Sequence, residues 1–258
     1  MNFLELKAKL KRREAVLGSW IALGHPSIPE IMANAGFDFL VIDMEHSVIE
    51  LSDAQKLIQS IEAQGIVPFV RIGEINANLI KRVLDAGAHG IIAPLVKNAE
   101  DMKKVVQASY YPPKGERGVG LARAQKYGLD FESYKIKQKN ELIIVPLIEH
   151  IKAIENLEAI LEVEGVDATI IGPYDLSGSL GFPGEFDRPE VKSAIAHYEK
   201  ICASKKMAMG FHIVQPEVKR AVEYIKKGFS FVAVGLDTLY LGLKCKEIMQ
   251  EVKKELKS

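Results

Sequence analysis

Residues 39–94 read FLVIDMEHSVIELSDAQKLIQSIEAQGIVPFVRIGEINANLIKRVLDAGAHGIIAP, and this stretch decides the fold. Phe39–Asp43 and Val67–Arg71 are apolar runs that end on a charged residue, and Gly90–Pro94 is a third short apolar run. Between the first two, Ser52 precedes an Ala54, Leu57, Ile58, Ile61 stripe at helical spacing, and Gly65 stands where that helix would stop. The next helix ends in the same way at Gly87. Strand, helix, glycine, strand, helix, glycine, strand is a βαβ unit written twice, which implies a parallel sheet. Strands this continuously apolar are covered on both faces.

The same rhythm extends outward in both directions. Further strands are predicted at Leu17–Leu23, Ile143–Ile148, Ala168–Ile171, Met207–Phe211 and Phe231–Val234, with Gly36, Gly165 and Gly228 just ahead of strands. Eight βα units describe a closed (β/α)8 TIM barrel better than an open doubly wound sheet. A length of 258 residues suits one such domain over residues 1–258. No Gly-x-Gly-x-x-Gly follows the first strand, so a dinucleotide fold loses its main support. Tyr111 to Asn140 breaks the rhythm; rich in Pro, Gly and charge, it reads as a lid, a binding loop or a subunit contact.

Thirty-four basic residues balance 34 acidic ones, leaving no net field to attract nucleic acid or an anionic membrane, so a small-molecule partner is expected. Met1 to Arg13 reads as an amphipathic basic helix without the apolar core of a signal peptide, and no apolar run is long enough for a membrane span. Cys202 and Cys245 fall in helical stretches without metal-like spacing and are read as reduced. A cytoplasmic location follows as the expectation.

In α/β barrels the chemistry collects where the strands end, because the loops there converge on the barrel axis. Those ends present Asp43, Glu45 and His46 after the second strand, Arg71 at the third, and Glu149 and His150 after the fifth. Gly172, Pro173, Tyr174 and Asp175 follow the sixth. Glu149 and Asp175, from neighbouring strands, are the expected metal pair, and an oxygen-rich open site suits Mg2+ or Mn2+, with Co2+ as a further option. Zinc is disfavoured because no His/Cys cluster appears. For Asp175 the plain alternative is a helix N-cap. Arg71 presents a planar fork matched to a carboxylate or an enolate oxygen; a salt bridge to Asp43 or Glu45 is its plain alternative, and both roles can coexist. His46 is the candidate acid/base, with Asp85 or Asp43 as the neighbour that fixes its tautomer. His25 and His212, following the first and seventh strands, are candidates for the mouth lining, whereas His89, His150 and His197 read as structural or exposed. The glycine-rich run from Gly172 to Gly181 could cradle an anion on free backbone amides.

These residues together resemble the HpcH/HpaI family of metal-dependent 2-oxo acid aldolases, whose type activity is cleavage of 4-hydroxy-2-oxoheptanedioate. The resemblance is carried by Gly36-Phe37-Asp38-Phe39 leading to Ile42-Asp43-Met44-Glu45-His46, by Val70-Arg71, and by Lys81-Arg82-Val83-Leu84-Asp85-Ala86-Gly87-Ala88. It continues through Tyr111-Pro112-Pro113-Lys114-Gly115, Arg117-Gly118, Ile148-Glu149, Gly172-Pro173 and Asp175-Leu176-Ser177. The resemblance implies a barrel of the phosphoenolpyruvate/pyruvate-binding type. Glu149 and Asp175 would then ligate the cation, Arg71 would contact the pyruvate oxygen, and His46 paired with Asp85 would be the acid/base. The backbone at Gly172 and at Tyr174 and Asp175 would receive the pyruvate carboxylate. It also implies a homohexamer, a trimer of dimers built by pairing C-terminal helices, which suits the Leu239-to-Leu256 tail. Two positions near the expected pocket depart from many members: Tyr174 replaces an alanine, and Leu147, two residues before Glu149, replaces a glutamine.

The activity so implied is reversible cleavage of a 4-hydroxy-2-oxo acid to pyruvate, or a close analogue, and an aldehyde. A citrate-forming synthase or acyl-CoA lyase on the same fold is the alternative; extra mouth arginines would favour it, with Arg123 as a candidate. A non-catalytic 2-oxo acid sensor is the third reading. Lys97 is the nearest candidate for competing Schiff-base chemistry.

Overall fold

A computed structural model describes residues 3–257; Met1, Asn2 and Ser258 fall outside it. Eight parallel strands close into a barrel in sequence order. They are β1 (Val16–Ile21), β2 (Phe39–Asp43), β3 (Val67–Arg71), β4 (Gly90–Ala93), β5 (Ile143–Ile148), β6 (Ala168–Ile171), β7 (Ala208–Ile213) and β8 (Phe229–Leu236). α1 (Phe3–Arg12) precedes the barrel. Then α2 (Ser27–Ala33), α3 (Leu51–Ala63), α4 (Ala77–Asp85) and α5 (Ala99–Ser109) each follow a strand. α6 (Phe131–Glu141) completes the long excursion after β4. α7 (Ile151–Glu155) and α8 (Leu157–Leu161) follow β5, and α9 (Pro173–Ser179) and α10 (Pro189–Ser204) follow β6. α11 (Val218–Lys226) and α12 (Asp237–Glu255) close the order. Among the described residues no helix is long and apolar enough to cross a membrane.

The register of the strands decides what the barrel can do. Phe39 pairs with Val67 and Asp43 with Arg71, so β2 and β3 end level. Side chains alternate along a strand, and the inward rows run 39, 41, 43 on β2; 67, 69, 71 on β3; 143, 145, 147 on β5; and 208, 210, 212 on β7. Their apolar members form one buried inner cluster. Continued to the mouth, those rows deliver Asp43, Arg71, Glu149 and His212. A larger cluster fills the space between the barrel and its helices.

The lower half of the barrel is plugged by aromatics. Phe39 stacks on Phe231 at 4.3 Å, and Phe69 lies 5.4 Å from Phe39 and 5.2 Å from Phe231. Two strand glycines make room for this trio: a Cβ on Gly18 would stand 2.3 Å from the Phe39 ring, and one on Gly90 would stand 2.1 Å from the Phe69 ring. Beneath them α1 seals the floor with buried Leu6 and Leu10. Its Lys7 ammonium donates to the Leu142 carbonyl and lies 3.0 Å from Asp167 Oδ1. Burial pushes Lys7 down and Asp167 up, each towards its neutral form, against the attraction of the other. A pair so placed adds little net stability, but removing one partner strands the other charge. Asp167→Asn is therefore expected to cost about 3 kcal/mol or more, read as a lower midpoint in scanning calorimetry; a loss under about 1 kcal/mol would show that Lys7 finds other support.

β1, β4 and β8 differ by one to two residues at their ends from the sequence reading, and three further differences bear on the site and its surroundings. Within Tyr111–Asn140, a kinked 3-10 segment at Arg123–Gly128 is followed by α6, although most of this stretch is polar and shows little periodicity. α6 is held by Tyr134, whose hydroxyl accepts from Arg117 Nη1 at 3.1 Å, and by Phe131, whose ring lies 6.1 Å from that of Tyr111. β7 extends to Ile213, so His212 lies inside the strand, paired with Ala233, rather than after it. α3 begins at Leu51, with Glu50 and not a side-chain-bonded serine at its N-cap.

Candidate active site

Arg71 is the centre of the mouth. Its Nε and Nη2 donate to the two carboxylate oxygens of Asp43 at 2.9 and 2.6 Å, a bidentate fork, and its Nη1 lies 3.0 Å from Glu45 Oε2. Asp43 Oδ1 also accepts the amides of Glu45 (3.0 Å) and His46 (3.2 Å), which folds the chain after β2 back over the barrel end. Burial works to raise the Asp43 pKa, but Arg71 and the two amides together hold it below the usual range. Asp43 is thus a fixed anion with its acceptor sites occupied, and its task is to orient Arg71 and the 45–46 turn.

Glu149 is 5% exposed. Its Oε1 accepts the Leu95 amide at 2.8 Å. Leu95 provides that amide from a left-handed backbone, φ +58°, unusual for a leucine. Gly172 backs the carboxylate: a Cβ there would lie 3.0 Å from Glu149 Cβ and 3.4 Å from Oε2, and would also touch Leu147. Burial pushes Glu149 up to about 7; the Leu95 amide opposes this, and the charges of Glu45 and Asp175 add to it. Glu45 is raised likewise by burial, against Arg71, with Asp43 and Asp175 repelling it. Although Glu45 Oε2 is close to Arg71, no hydrogen bond reaches this buried atom.

The acidic side chains Glu45, Glu149 and Asp175 therefore act on one another across a space with a single guanidinium nearby. An excess of buried negative charge with an unbonded carboxylate oxygen fits a cation. No group of three His, Cys, Asp or Glu poised to hold a metal occurs among the described residues. The protein would supply about two carboxylates and leave positions for water and substrate, as a hard, oxygen-liganded cation requires. Asp175 itself is exposed on α9, whose start at Gly172 has no side-chain cap. Leu176 is bonded back to the Gly172 carbonyl (3.0 Å), whereas the N–H groups of Tyr174 and Asp175, in the first turn, lack intrahelical partners. Pro173 sets the first helical residue. Tyr174 is exposed, with its ring edge-on to Phe186 at 4.8 Å.

His46 projects from the turn after β2, its side chain 65% exposed, with Nε2 3.8 Å from Glu45 Oε2. Asp85 is not its partner within this chain. The last residue of α4 sits at the opposite end of the barrel, where its carboxylate receives Arg117 Nη2 at 2.5 Å. Arg123 also lies at that end, bonded to Glu62 and to the Ala86 carbonyl, and so is not a mouth arginine. The charge of Lys97 is felt at His150, at the start of α7. His25 caps a turn by accepting the Ser27 amide, and His150 does the same for Lys152.

Sequence reasoning missed two contributors. The Leu95 amide is a main-chain donor that no side-chain pattern announces. Trp20, on β1, lies under Arg71, whose Cζ is 4.4 Å from its ring centroid. An inward position on an apolar strand, one strand removed from the arginine-bearing β3, was the available signal.

Comparison with known proteins supports the same assignment of fold. Residues 17–241 match the family model described as HpcH/HpaI aldolase/citrate lyase. The chain is similar to a 2-keto-3-deoxy-L-rhamnonate aldolase of Klebsiella pneumoniae, 40% identical over 235 residues that cover 90% of this chain and 87% of the relative. It superposes on an HpcH/HpaI aldolase from Desulfitobacterium hafniense with TM-score 0.87 and 30% identity, covering 96% of both chains. It also superposes on the citrate synthase SbnG with TM-score 0.83 and 28% identity, covering 98% and 99%.

Proposed function

The chain belongs to the HpcH/HpaI aldolase/citrate lyase family and is a carbon–carbon lyase, and on that premise we propose that it reversibly cleaves a 4-hydroxy-2-oxo acid to pyruvate, or a close analogue, and an aldehyde. The observation that carries this reading is the mouth itself: a guanidinium locked by Asp43, beside a buried carboxylate that burial and the charges of Glu45 and Asp175 push up to about 7 against the pull of Arg71 and the Leu95 amide. Glu149 and Asp175 would hold a divalent cation, Mg2+ or Mn2+ with Co2+ as an option, which would supply Lewis-acid polarisation of the 2-oxo acid. Arg71 stabilises charge that develops on the keto oxygen as the C3–C4 bond breaks and its electron pair moves to C3. His46, hung from Asp43 by its amide and close to Glu45, removes the 4-hydroxyl proton, directly or through water, as the aldehyde forms, and the proton is returned through water to C3 of the enolate to give pyruvate. The amides at the start of α9 take the carboxylate, with Gly172, Pro173 and Leu147 shaping the wall and Tyr174 at the rim.

The sequence pointed to 4-hydroxy-2-oxoheptanedioate, but a 2-keto-3-deoxy sugar acid is the better substrate class. The similar relatives are named for such a compound, which is itself a 4-hydroxy-2-oxo acid. A second carboxylate on the aldehyde half would want another cation at the mouth, and Arg117 and Arg123 are both engaged at the far end. The same placement disfavours citrate formation. Assembly is part of the reading: α12 leaves Leu241, Ile248, Met249 and Val252 exposed, as is Leu256 at its C-cap, and a homohexamer covers them.

Purified protein incubated with pyruvate, Mg2+ or Mn2+ and a panel of neutral hydroxyaldehydes and acid semialdehydes tests this directly, with its mass read by light scattering. The expected result is condensation that stops on chelation and resumes with added cation. Full activity after exhaustive chelation, or a borohydride-trapped lysine adduct, would overturn it.

A further inference from the structure

At the mouth, three planar groups from three strands lie in a stack that the aldol chemistry above leaves unexplained. The Arg71 guanidinium lies over the Trp20 ring, with Cζ 4.4 Å from the centroid. The Trp20 ring also lies against the His212 ring, 4.7 Å away and inclined by only 11°. His212 Nε2 is 3.0 Å from the Gly235 carbonyl oxygen, which also accepts Ser19 Oγ at 3.1 Å. A carbonyl only accepts, so the imidazole carries its proton on Nε2. Burial pushes the His212 pKa down to about 4; the Gly235 bond opposes this, the Arg71 charge adds to it, and Asp43 opposes it. The ring is therefore neutral near pH 7, so it adds no second positive charge beneath the arginine.

Trp20 is 3% exposed, and its Nε1 has no hydrogen-bond partner. No polar bond fixes the angle of the indole. Its plane is set by packing, and its flat contacts include Arg71 and His212. Asp43 fixes the edge of the guanidinium, whereas the indole supports its face.

We propose that His212 is a positioning residue: pinned by the Gly235 carbonyl, its ring holds the Trp20 indole as the shelf on which the Arg71 guanidinium lies, and so aims Arg71 at the substrate oxygen. The inference rests on the role given to Arg71 in the aldolase reading. It goes beyond that reading by assigning work to β7 and β1, which hold none of the reacting groups.

Trp20 is the chain's single tryptophan, so its fluorescence reports the shelf without reference to turnover. The test compares wild type, His212→Ala and His212→Phe by acrylamide quenching of that emission and by steady-state aldol kinetics. His212→Ala is expected to expose Trp20 to the quencher. It should lower kcat by ~10-fold with the pyruvate KM changed less than ~3-fold, the pattern of an interaction lost in the transition state. His212→Phe restores a flat ring and should bring kcat back to within ~3-fold of wild type, with quenching again low. Wild-type kcat in His212→Ala would overturn the proposal, as would a Phe variant no better than the Ala variant. If wild type cleaves no 4-hydroxy-2-oxo acid, the aldolase reading fails separately. Quenching still decides the shelf, and an unchanged response in His212→Ala would overturn it.

Discussion

Glu149→Gln is expected to abolish aldol turnover, by ~10^3-fold or more, while leaving the metal-free protein at least as heat-stable as wild type. The amide keeps the shape of the side chain and an oxygen to accept the Leu95 N–H, so the local fold has no reason to change. It removes one of the two carboxylates proposed to hold the cation, and with it the charge that Glu45 and Asp175 repel. The stability effect follows from the direction of the pKa displacement. Glu149 keeps its proton to about 7 in the folded chain, against an ordinary value of 4.5. The unfolded chain ionises first, so this carboxylate opposes folding increasingly as pH rises from 4.5 towards 7, and fully above it. At ~1.4 kcal/mol per pKa unit the relief is on the order of 3 kcal/mol at pH 8. Turnover with added Mn2+, Mn2+ binding by titration calorimetry, and the unfolding midpoint of chelated protein check the three parts. A variant retaining a tenth of wild-type turnover would remove Glu149 from the ligand set.

Arg71→Met should lower kcat by ~10^2 to 10^3-fold, the usual cost of deleting one donor from a developing oxyanion. Unlike Glu149→Gln it should also destabilise, by about 3 kcal/mol. Asp43, 6% exposed, would keep only two backbone amides, and Glu45 would lose its nearby cation. Arg71→Lys separates charge from geometry: a lysine retains the charge but cannot span both Asp43 oxygens, so it should recover stability more fully than rate. Rate and calorimetry on both variants decide the matter. A methionine variant within tenfold of wild-type kcat would mean that Arg71 serves the fold and not the reaction.

Much of this architecture was legible in the chain because a buried parallel strand advertises itself. Phe39–Asp43, Val67–Arg71, Ile143–Ile148 and Ala168–Ile171 were read with the bounds the structure gives them, since each is an apolar run stopped by a charge or a glycine. Alternation then placed Asp43, Arg71 and the following Glu149 at the rim. What stayed hidden depends on geometry that residue types do not encode. A leucine at φ +58° lends its amide to Glu149. Asp85 looks like a partner for His46 in the linear motif, but within one chain it ends a helix that returns to the far face, where it receives Arg117. α6 escaped notice because its surface is polar almost all round, with Phe131 and Tyr134 as its aromatic anchors.

The sealed floor has a kinetic consequence. With Phe39, Phe69 and Phe231 packed across the interior and α1 closed over them, the barrel is a cul-de-sac with one doorway. Under the proposed chemistry the 2-oxo acid occupies the inner seat against Arg71 and the aldehyde the outer one beside Tyr174. Traffic through a single doorway is then sequential: the aldehyde departs first in cleavage and pyruvate arrives first in synthesis, an ordered bi-substrate scheme imposed by the packing of three phenylalanines.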